Sequence, residues 1–175
     1  LWWATATAQN TMYDMDTLNL SLEWDKTVPQ SERVSHTKVT FHNRYGITLA
    51  ADLYKPKDAV GPLAAVAVCG PYGAVKEQVS GLYAQTLAER GFLTIAFDPS
   101  FYGESGGRPR YLTSPEISTD DFSAAVDYLS TREDVDPQRI GLCGLCRRGG
   151  FAFHLPAHDP RLRPRPPRSS APSSV

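Results

Sequence analysis

The alternation of apolar and polar residues predicts that the organised part of the chain begins with two β-strands. Residues 34–41 and 47–54 alternate in this way, and the turn-forming sequence Asn-Arg-Tyr-Gly lies between them at 43–46. Two such strands joined by a short polar turn favour an antiparallel β-hairpin. Residues 10–33 are polar with scattered aromatics and have no clear period, so we expect an extension that wraps over the surface.

Continuous apolar runs further along the chain predict strands that are buried on both faces. These runs are residues 63–69, 92–97 and 139–143, and they are typical of the central strands of a parallel sheet. Helices are predicted over residues 77–90 and 119–131, and in the second helix the apolar residues recur at helical spacing on one stripe.

The ends of the two predicted helices carry their own signals. Gly91 follows the first helix, where a glycine often closes the last turn. Thr119 is a candidate N-cap for the second helix, because its hydroxyl can accept a hydrogen bond from a free N–H group of the first turn. Asp120 and Asp121 would then lie in that first turn, where negative side chains complement the helix dipole.

A hairpin followed by alternating strands and helices predicts an α/β fold. Parallel strands need a crossover connection, which a helix supplies. We therefore expect a mixed sheet with an antiparallel hairpin at one side, parallel strands in the centre and helices on both faces. Functional groups in such sheets lie at the carboxyl ends of the strands.

The composition is that of an ordinary globular protein. The chain has 175 residues, of which 41% are apolar, and a formal net charge of -1. These values favour one domain and give no support for a nucleic-acid partner. Three cysteines do not form a disulfide framework. The sequence has no apolar run long enough to predict a membrane span, and it leaves the oligomeric state open.

Both ends of the chain differ from its centre in composition and apolar pattern. We therefore expect an extension at 1–33, an α/β domain at 34–159 and a Pro/Arg/Ser-rich tail at 160–175. The first residue is not Met, and the sequence Ala-Thr-Ala at 6–8 fits a signal-peptide cleavage site. Residues 1–8 are therefore a plain tail of a cytoplasmic protein or the end of the signal peptide of a secreted or periplasmic one. The tail has no apolar period, which indicates disorder or a shift of reading frame.

Residues 139–150 place a cysteine between an apolar strand and a helix start, which is the layout of a nucleophile elbow. Gly144 supplies the small residue that this tight turn needs two positions before the nucleophile. Cys146 would lie at the tip, before a helix that starts near Gly149, where the dipole and free N–H groups favour the thiolate form. Arg148 occupies a position of the elbow at which a small residue is expected.

The sequence Cys-Gly-Leu-Cys at 143–146 also fits two other kinds of site. A C-x-x-C pair can exchange thiols with a disulfide or supply half of a zinc site. Thiol exchange uses the first cysteine at a helix N-terminus, whereas Cys143 is expected inside the strand. A structural zinc site needs two further ligands, and no second pair has suitable spacing. Cys69, at the end of a predicted buried strand, is expected in the core.

Three motifs follow one another in the order used by a known superfamily. They are Cys-Gly-Pro-Tyr-Gly at 69–73, Asp-Pro-Ser-Phe-Tyr-Gly-Glu-Ser-Gly-Gly at 98–107 and Gly-Leu-Cys at 144–146. Together they resemble the α/β-hydrolase superfamily, in particular its group of dienelactone hydrolases, polyketide transferases and Xaa-Pro dipeptidyl-peptidase-like domains. The resemblance covers about residues 34–159. It implies the N-terminal part of an α/β-hydrolase fold, with the C-terminal half missing.

The resemblance implies an enzyme that acts on esters, lactones, thioesters or amides, by hydrolysis or by acyl transfer. It makes Cys146 the nucleophile and assigns two backbone N–H donors to the oxyanion. Arg147, the residue after the nucleophile, is one donor. Pro71 has no N–H group, so Tyr72 is the other. The implied partner is a small-molecule acyl substrate, no cofactor is implied, and Ser105 is expected to be a loop hydroxyl rather than a nucleophile.

The catalytic acid and histidine of this superfamily follow the elbow on later strands, and the chain ends before such strands. His154 and His158 are too close to the nucleophile in sequence, on the helix of the elbow, and Asp159 is at that helix's end. We expect His36 and His42, on the first strand, to have no part in the chemistry. The chain is therefore expected to be a fragment that is inactive as it stands, or a partial domain that serves as a binding module.

Overall fold

The computed structural model describes residues 18–146, 148–150, 152, 159 and 162. Within this part, the strands of a single sheet are β1 (Val34–His42), β2 (Thr48–Pro56), β3 (Leu63–Cys69), β4 (Leu93–Phe97) and β5 (Val135–Gly144). The α-helices are α1 (Gly81–Ala88), which follows one π-helical turn at Lys76–Ser80, and α2 (Pro115–Ser130).

The strands lie in the order β1-β2-β4-β3-β5 across the sheet. β1 and β4 each pair antiparallel with β2, whereas β3 runs parallel to both β4 and β5. The predicted mixed sheet, with a hairpin at one side and parallel strands next to it, is confirmed. The carboxyl ends of β3, β4 and β5 therefore meet at one edge of the sheet, and the three motifs follow these ends.

Apolar side chains form one packed layer on each face of the sheet. α2 contributes Phe122 and Leu129 to the larger layer. α1 contributes Ala84 and Ala88 to the smaller layer, where they pack against strand residues such as Val68. Helices thus cover both faces, which is why β3 is apolar along its whole length and Thr94 is the one polar residue of β4.

Residues 18–33 contain no helix or strand and run along the side of the molecule that carries α1. The N–H of Thr27 donates to the Glu77 carbonyl (3.0 Å). The side chain of Gln85 on α1 donates to the Pro29 carbonyl (2.9 Å) and accepts from the N–H of Ser31 (3.1 Å). The extension therefore wraps over the surface, as its polar sequence predicts.

The first predicted helix, residues 77–90, is shorter and less regular in the structure than predicted. α1 ends at Ala88, and Gly91 closes it with φ +98° and an N–H bond to the Ala88 carbonyl (3.0 Å). Before α1, Gln78 has non-helical angles (φ -101°, ψ -131°). A Cβ at Gly81 would lie 2.5 Å from the Lys76 carbonyl oxygen, so the entry turn is packed too tightly for a regular helix with side chains.

The prediction of Thr119 as an N-cap is wrong. α2 begins earlier, at Pro115, and its N-cap is Ser114, whose hydroxyl accepts a hydrogen bond from the first turn (3.4 Å). A serine followed by proline combines a capping side chain with a residue that has no N–H to satisfy. Thr119 lies inside the helix and donates to the Pro115 carbonyl (2.8 Å). Asp120 and Asp121 are consequently beyond the first turn and bind neighbouring loops instead.

The strand predicted at 139–143 is also longer than expected, since β5 begins at Val135. Among the described residues β5 pairs with β3 alone, and a groove of about 450 Å³ follows its other side, lined in part by Ile140, Leu142 and Cys143.

Neither described α-helix is long and apolar enough to cross a membrane. The predictions for residues 1–17, and for the tail apart from Leu162, lie outside the described residues.

Candidate active site

The chain leaves β5 through a tight turn into a helical segment, and Cys146 stands in that turn. Cys146 has φ +57°, in the left-handed region that residues other than glycine rarely adopt. The N–H of Leu145 donates to the Cys69 carbonyl at the end of β3, and the N–H of Gly149 donates to the Cys146 carbonyl, both at 3.0 Å. Residues 148–150 are helical. Cys146, whose thiol is the candidate nucleophile, is therefore the strained residue of the turn between β5 and the helical segment.

Gly144 and Arg148 meet where the turn closes. A Cβ at Gly144 would lie 2.4 Å from the carbonyl oxygen of Arg148, so only glycine fits there. The side chain of Arg148 is buried, and its guanidinium lies over the rings of Tyr72 (4.7 Å) and Tyr102 (5.5 Å). Two aromatic faces stabilise a buried cation, although Nε and Nη2 have no hydrogen-bond partner among the described residues. The turn therefore accommodates an arginine where a small residue is expected.

The three cysteines all lie in the described part of the chain and differ in exposure. Cys69 is buried, Cys143 is half-buried, Cys146 is exposed, and none forms a disulfide. Burial raises the pKa of Cys69 to about 12 and also raises the pKa of Cys143. Cys69 belongs to the core, as predicted. A raised pKa at Cys143 disfavours the thiolate that exchange chemistry at the C-x-x-C pair requires.

The loop at residues 70–75, between β3 and the π-helical turn, reaches the elbow. Gly73 has φ +78°, and the N–H of Ala74 donates to the Pro71 carbonyl (3.2 Å), which makes the loop a tight turn. The ring of Tyr72 lies against the guanidinium of Arg148. The structure thus brings the loop of the predicted donor Tyr72 to the elbow. The other predicted donor, Arg147, lies outside the described residues.

The loop at residues 98–107 is folded around the carboxylate of Asp98, which is fully buried at the end of β4. This carboxylate accepts hydrogen bonds from the N–H groups of Lys76 (2.8 Å) and Glu104 (3.0 Å). A Cβ at Gly103, which has φ +51°, would lie 2.2 Å from it. Ser105 donates its hydroxyl to the Asp98 carbonyl (2.7 Å) and accepts from a strand N–H (2.8 Å), so it is the loop hydroxyl that we expected.

Lys76 is a buried cation that sequence reasoning missed. Its ammonium group lies 2.9 Å from Asp98 and 2.6 Å from Glu104, and it also contacts Glu77. Burial works against the charge, yet these carboxylates hold the pKa of Lys76 above its usual value. Lys38 of β1 supplies a second cation, 2.5 Å from Glu104. The sequence signal for this ion pair is a lysine at the point where a Gly-Pro loop enters a helix, together with an aspartate that follows the neighbouring strand.

Three carboxylates of this region come close enough together to raise the question of a metal ion. Oxygen atoms of Asp25, Glu77 and Glu104 lie within 4.8 Å of one another. The ammonium group of Lys38 is 3.4 Å from Asp25 and 3.7 Å from Glu77, and that of Lys76 contacts Glu77 and Glu104. The arrangement indicates an ion network whose negative charge is met by lysines.

The described histidines lie on the edge strand β1, at the opposite edge of the sheet from β5 and Cys146. His36 and His42 belong to β1, and three strands separate β1 from β5, each step being about 4.8 Å. His36 pairs with Asp52 (2.8 Å), and its ring packs against Trp24 and Tyr54. Neither is placed to serve Cys146. His154 and His158 lie outside the described residues.

Comparison with known proteins identifies a family that agrees with the α/β fold of the chain. The model of the dienelactone hydrolase family matches residues 49–164. An uncharacterized protein of Pseudomonas aeruginosa is 58% identical over 161 residues, which cover 91% of this chain and 43% of the relative. Its crystal structure superimposes with a TM-score of 0.82 at 60% identity, over 84% of this chain and 46% of that one.

Fungal relatives extend this similarity. A thiohydrolase of Aspergillus aculeatus, aneE, is 34% identical over 133 residues, or 76% of this chain and 41% of the relative. The crystal structure of the α/β-hydrolase GrgF from a Penicillium species superimposes with a TM-score of 0.67 at 26% identity, over 73% of this chain and 43% of that one. The chain spans less than half the length of the curated relatives it matches. The expected resemblance to α/β-hydrolases is confirmed.

Proposed function

Because this chain belongs to the dienelactone hydrolase family, we propose that it takes the acyl group of an ester, lactone, thioester or amide onto the thiol of Cys146. The family is one of hydrolases, and a relative named as a thiohydrolase fits acyl chemistry at sulfur. The observation that carries the proposal is the left-handed backbone of Cys146 between β5 and the helical segment at 148–150. A strained turn of this kind lifts a nucleophile out of the sheet edge.

In the proposed step, the thiolate of Cys146 attacks the carbonyl carbon of the substrate. A C–S bond forms and the carbonyl π electrons move to oxygen. The tetrahedral intermediate then expels the leaving group, which takes the bond electrons and a proton from water. The backbone N–H groups of Tyr72 and Arg147 donate to the oxyanion. The contact between the Tyr72 ring and Arg148, which bridges loop and elbow, supports the assignment of Tyr72.

The exposure of Cys146 supports it as the nucleophile, and the raised pKa values of the other two cysteines disfavour them. Only the thiolate is an effective nucleophile. Burial raises the pKa of Cys69 and of Cys143, so both remain protonated at neutral pH. Cys146 is the exposed one of the three, and it lies beside the N-terminus of the helical segment.

We further propose that this chain releases the acyl group slowly. Deacylation needs a base that activates water or another acceptor. His36 and His42 lie across the sheet on β1, and the short spacing of His154 and His158 from Cys146 disfavours both. The chain is therefore expected to stop at the acyl-enzyme, and the choice between hydrolysis and transfer belongs to the second step.

The test is pre-steady-state release of nitrophenol from p-nitrophenyl acetate. We expect a burst of about one equivalent per chain followed by no steady turnover, because acylation can proceed without a base whereas deacylation cannot. Cys146→Ala should abolish the burst. Cys143→Ala is the matched control and should keep it.

Two outcomes would contradict the account in different ways. A burst that survives in Cys146→Ala would remove the nucleophile assignment. Sustained turnover that is lost in His154→Ala or His158→Ala would show that one of these two histidines is the base, and would overturn the proposal of slow release alone.

A further inference from the structure

Lys76 anchors the far end of the loop that carries the proposed oxyanion donor. Residues 70–75 carry Tyr72, and the chain enters the π-helical turn at Lys76. Within the loop, the N–H of Ala74 bonds to Pro71 (3.2 Å), and beyond it Ser80 donates a long bond to Val75 (3.4 Å). These contacts shape the loop and its exit but do not attach it to the neighbouring strands.

Lys76 makes that attachment twice, through one carboxylate. Its backbone N–H donates to Oδ1 of Asp98 (2.8 Å), and its ammonium group donates to Oδ2 (2.9 Å). Asp98 is itself fixed, because it directly follows β4 and its N–H donates to the Ala50 carbonyl of β2 (3.0 Å). The anchor of the loop is therefore a residue that is bonded to the sheet.

The loop at residues 98–107 closes around the same carboxylate, that of Asp98. The N–H of Glu104 donates to Asp98 (3.0 Å), and the Glu104 side chain accepts from Lys76 (2.6 Å). Gly103 passes so close to Asp98 that no Cβ fits. Lys76 and Asp98 thus lock residues 70–75 and 98–107, which follow the adjacent strands β3 and β4, into one arrangement.

The cation is needed as well as the hydrogen bonds. Lys76 and Asp98 are both fully buried, and Asp98 has no other cation within ion-pair distance among the described residues. Removing the ammonium group would leave Asp98 buried beside Glu77 and Glu104. The carboxylates would repel one another, and a buried charge without a partner is costly. The loops at residues 70–75 and 98–107 would therefore separate.

We propose that Lys76, through Asp98, is a positioning residue that holds the Tyr72 loop in register with Cys146 for oxyanion stabilisation. This inference rests on the proposed function of Cys146 and Tyr72. It adds a residue that touches neither substrate nor thiol. A displacement of about 1 Å at a catalytic donor can cost about 100-fold in rate.

The test compares two reactions of the same thiol in Lys76→Met. Acylation by p-nitrophenyl acetate passes through an oxyanion, whereas alkylation by iodoacetamide is a displacement at carbon and needs no oxyanion donor. We expect the acylation rate to fall about 100-fold, with the alkylation rate of Cys146 changed less than about twofold. Lys76→Arg keeps the cation and should restore part of the acylation rate.

Lys26→Met is the matched control, because Lys26 and Asp52 are also both fully buried and lie 3.0 Å apart. This variant also takes a buried ammonium group away from its carboxylate, and it should keep the ratio of the two rates. If Lys76→Met does not fold, Glu104→Gln removes one partner of Lys76 and should give a smaller fall in the same ratio. The inference is overturned if acylation and alkylation fall together, or if Lys26→Met lowers the ratio equally.

A second measurement separates this inference from the proposed function. Hydrogen exchange of the amides at 70–76 should accelerate in Lys76→Met and not in Lys26→Met, whether or not the thiol is acylated. Absence of an acylation burst in the unaltered chain would contradict the proposed function, whereas unchanged exchange in Lys76→Met would contradict the positioning role.

Discussion

Two buried lysine–aspartate pairs hold this molecule together, and they differ in what they connect. Lys76 and Asp98 lie 2.9 Å apart, and Lys26 and Asp52 lie 3.0 Å apart, with all four side chains fully buried. The first pair joins the two loops at the carboxyl edge of the sheet. The second joins the N-terminal extension to β2, where His36 also contacts Asp52. The same interaction fixes loop geometry in one place and docks a segment in the other.

The contacts around each aspartate explain this difference. Asp98 accepts two backbone N–H groups as well as the ammonium of Lys76. Asp52 accepts from His36 (2.8 Å), while the contact of its Oδ2 with Lys26 lacks hydrogen-bond geometry. A carboxylate that binds backbone donors from two loops determines the path of the chain, whereas one that binds side chains determines only where those side chains lie.

The largest expected effect is that of Asp98→Ala, which would leave Lys76 without its anchor and two N–H groups without an acceptor. Loss of one partner of a buried pair costs about 3–5 kcal/mol of unfolding free energy. Asp52→Ala should cost less, about 1–3 kcal/mol, because in the described part of the chain the Asp52 carboxylate bonds to the His36 side chain and not to backbone N–H groups. Urea unfolding of both variants measures the difference. An equal or larger loss for Asp52→Ala would remove the distinction between the two pairs.

A third buried carboxylate sharpens the comparison, because its hydrogen-bond donors are neutral. Asp121 accepts from the Asn43 side chain (2.8 Å) and from the N–H (2.8 Å) and hydroxyl (2.7 Å) of Ser100. Burial raises the pKa of Asp121 to about 6. The folded state therefore binds a proton more tightly than the unfolded state, so the contribution of Asp121 to stability is fully present below about pH 4 and falls as pH rises to about 6.

Asp121→Asn should expose this dependence. Relative to the variant, the unaltered chain is expected to lose about 3 kcal/mol of unfolding free energy between pH 4 and pH 7. Asp127→Asn, on the exposed face of the same helix, serves as the control for removing a carboxylate from α2. A difference between the unaltered chain and Asp121→Asn that stays constant across this range would mean that burial does not govern the titration of Asp121.

The sequence predicts the strands of this fold well because their signals are local. The apolar run 63–69 coincides with β3, and the alternation at 34–41 and 47–54 predicts the hairpin. The start of α2 is less accessible to such reasoning, since Thr119 and Ser114 both offer a capping hydroxyl. Only the proline after Ser114 distinguishes them.

The turn at Cys146 is predictable for the same local reason, whereas the sequence gives only a weak signal for the ion network. Gly144 and Cys146 are two residues apart, and their backbone requirements are visible in the sequence. Lys76 and Asp98 are separated by 22 positions, and an isolated lysine in a polar stretch is usually solvated. Its burial follows from the way in which β3 and β4 become neighbours, which is a property of the assembled sheet.

The most direct test of the account is to locate the acyl group itself. The unaltered chain would be treated with p-nitrophenyl acetate at neutral pH, quenched in acid, digested, and mapped by mass spectrometry. We expect a single acetyl group on Cys146, with Cys69 and Cys143 unmodified because burial raises the pKa of both. Acetylation of Cys69 or Cys143 in preference to Cys146, or of lysines with no modified cysteine, would contradict the assignment of Cys146 as the nucleophile.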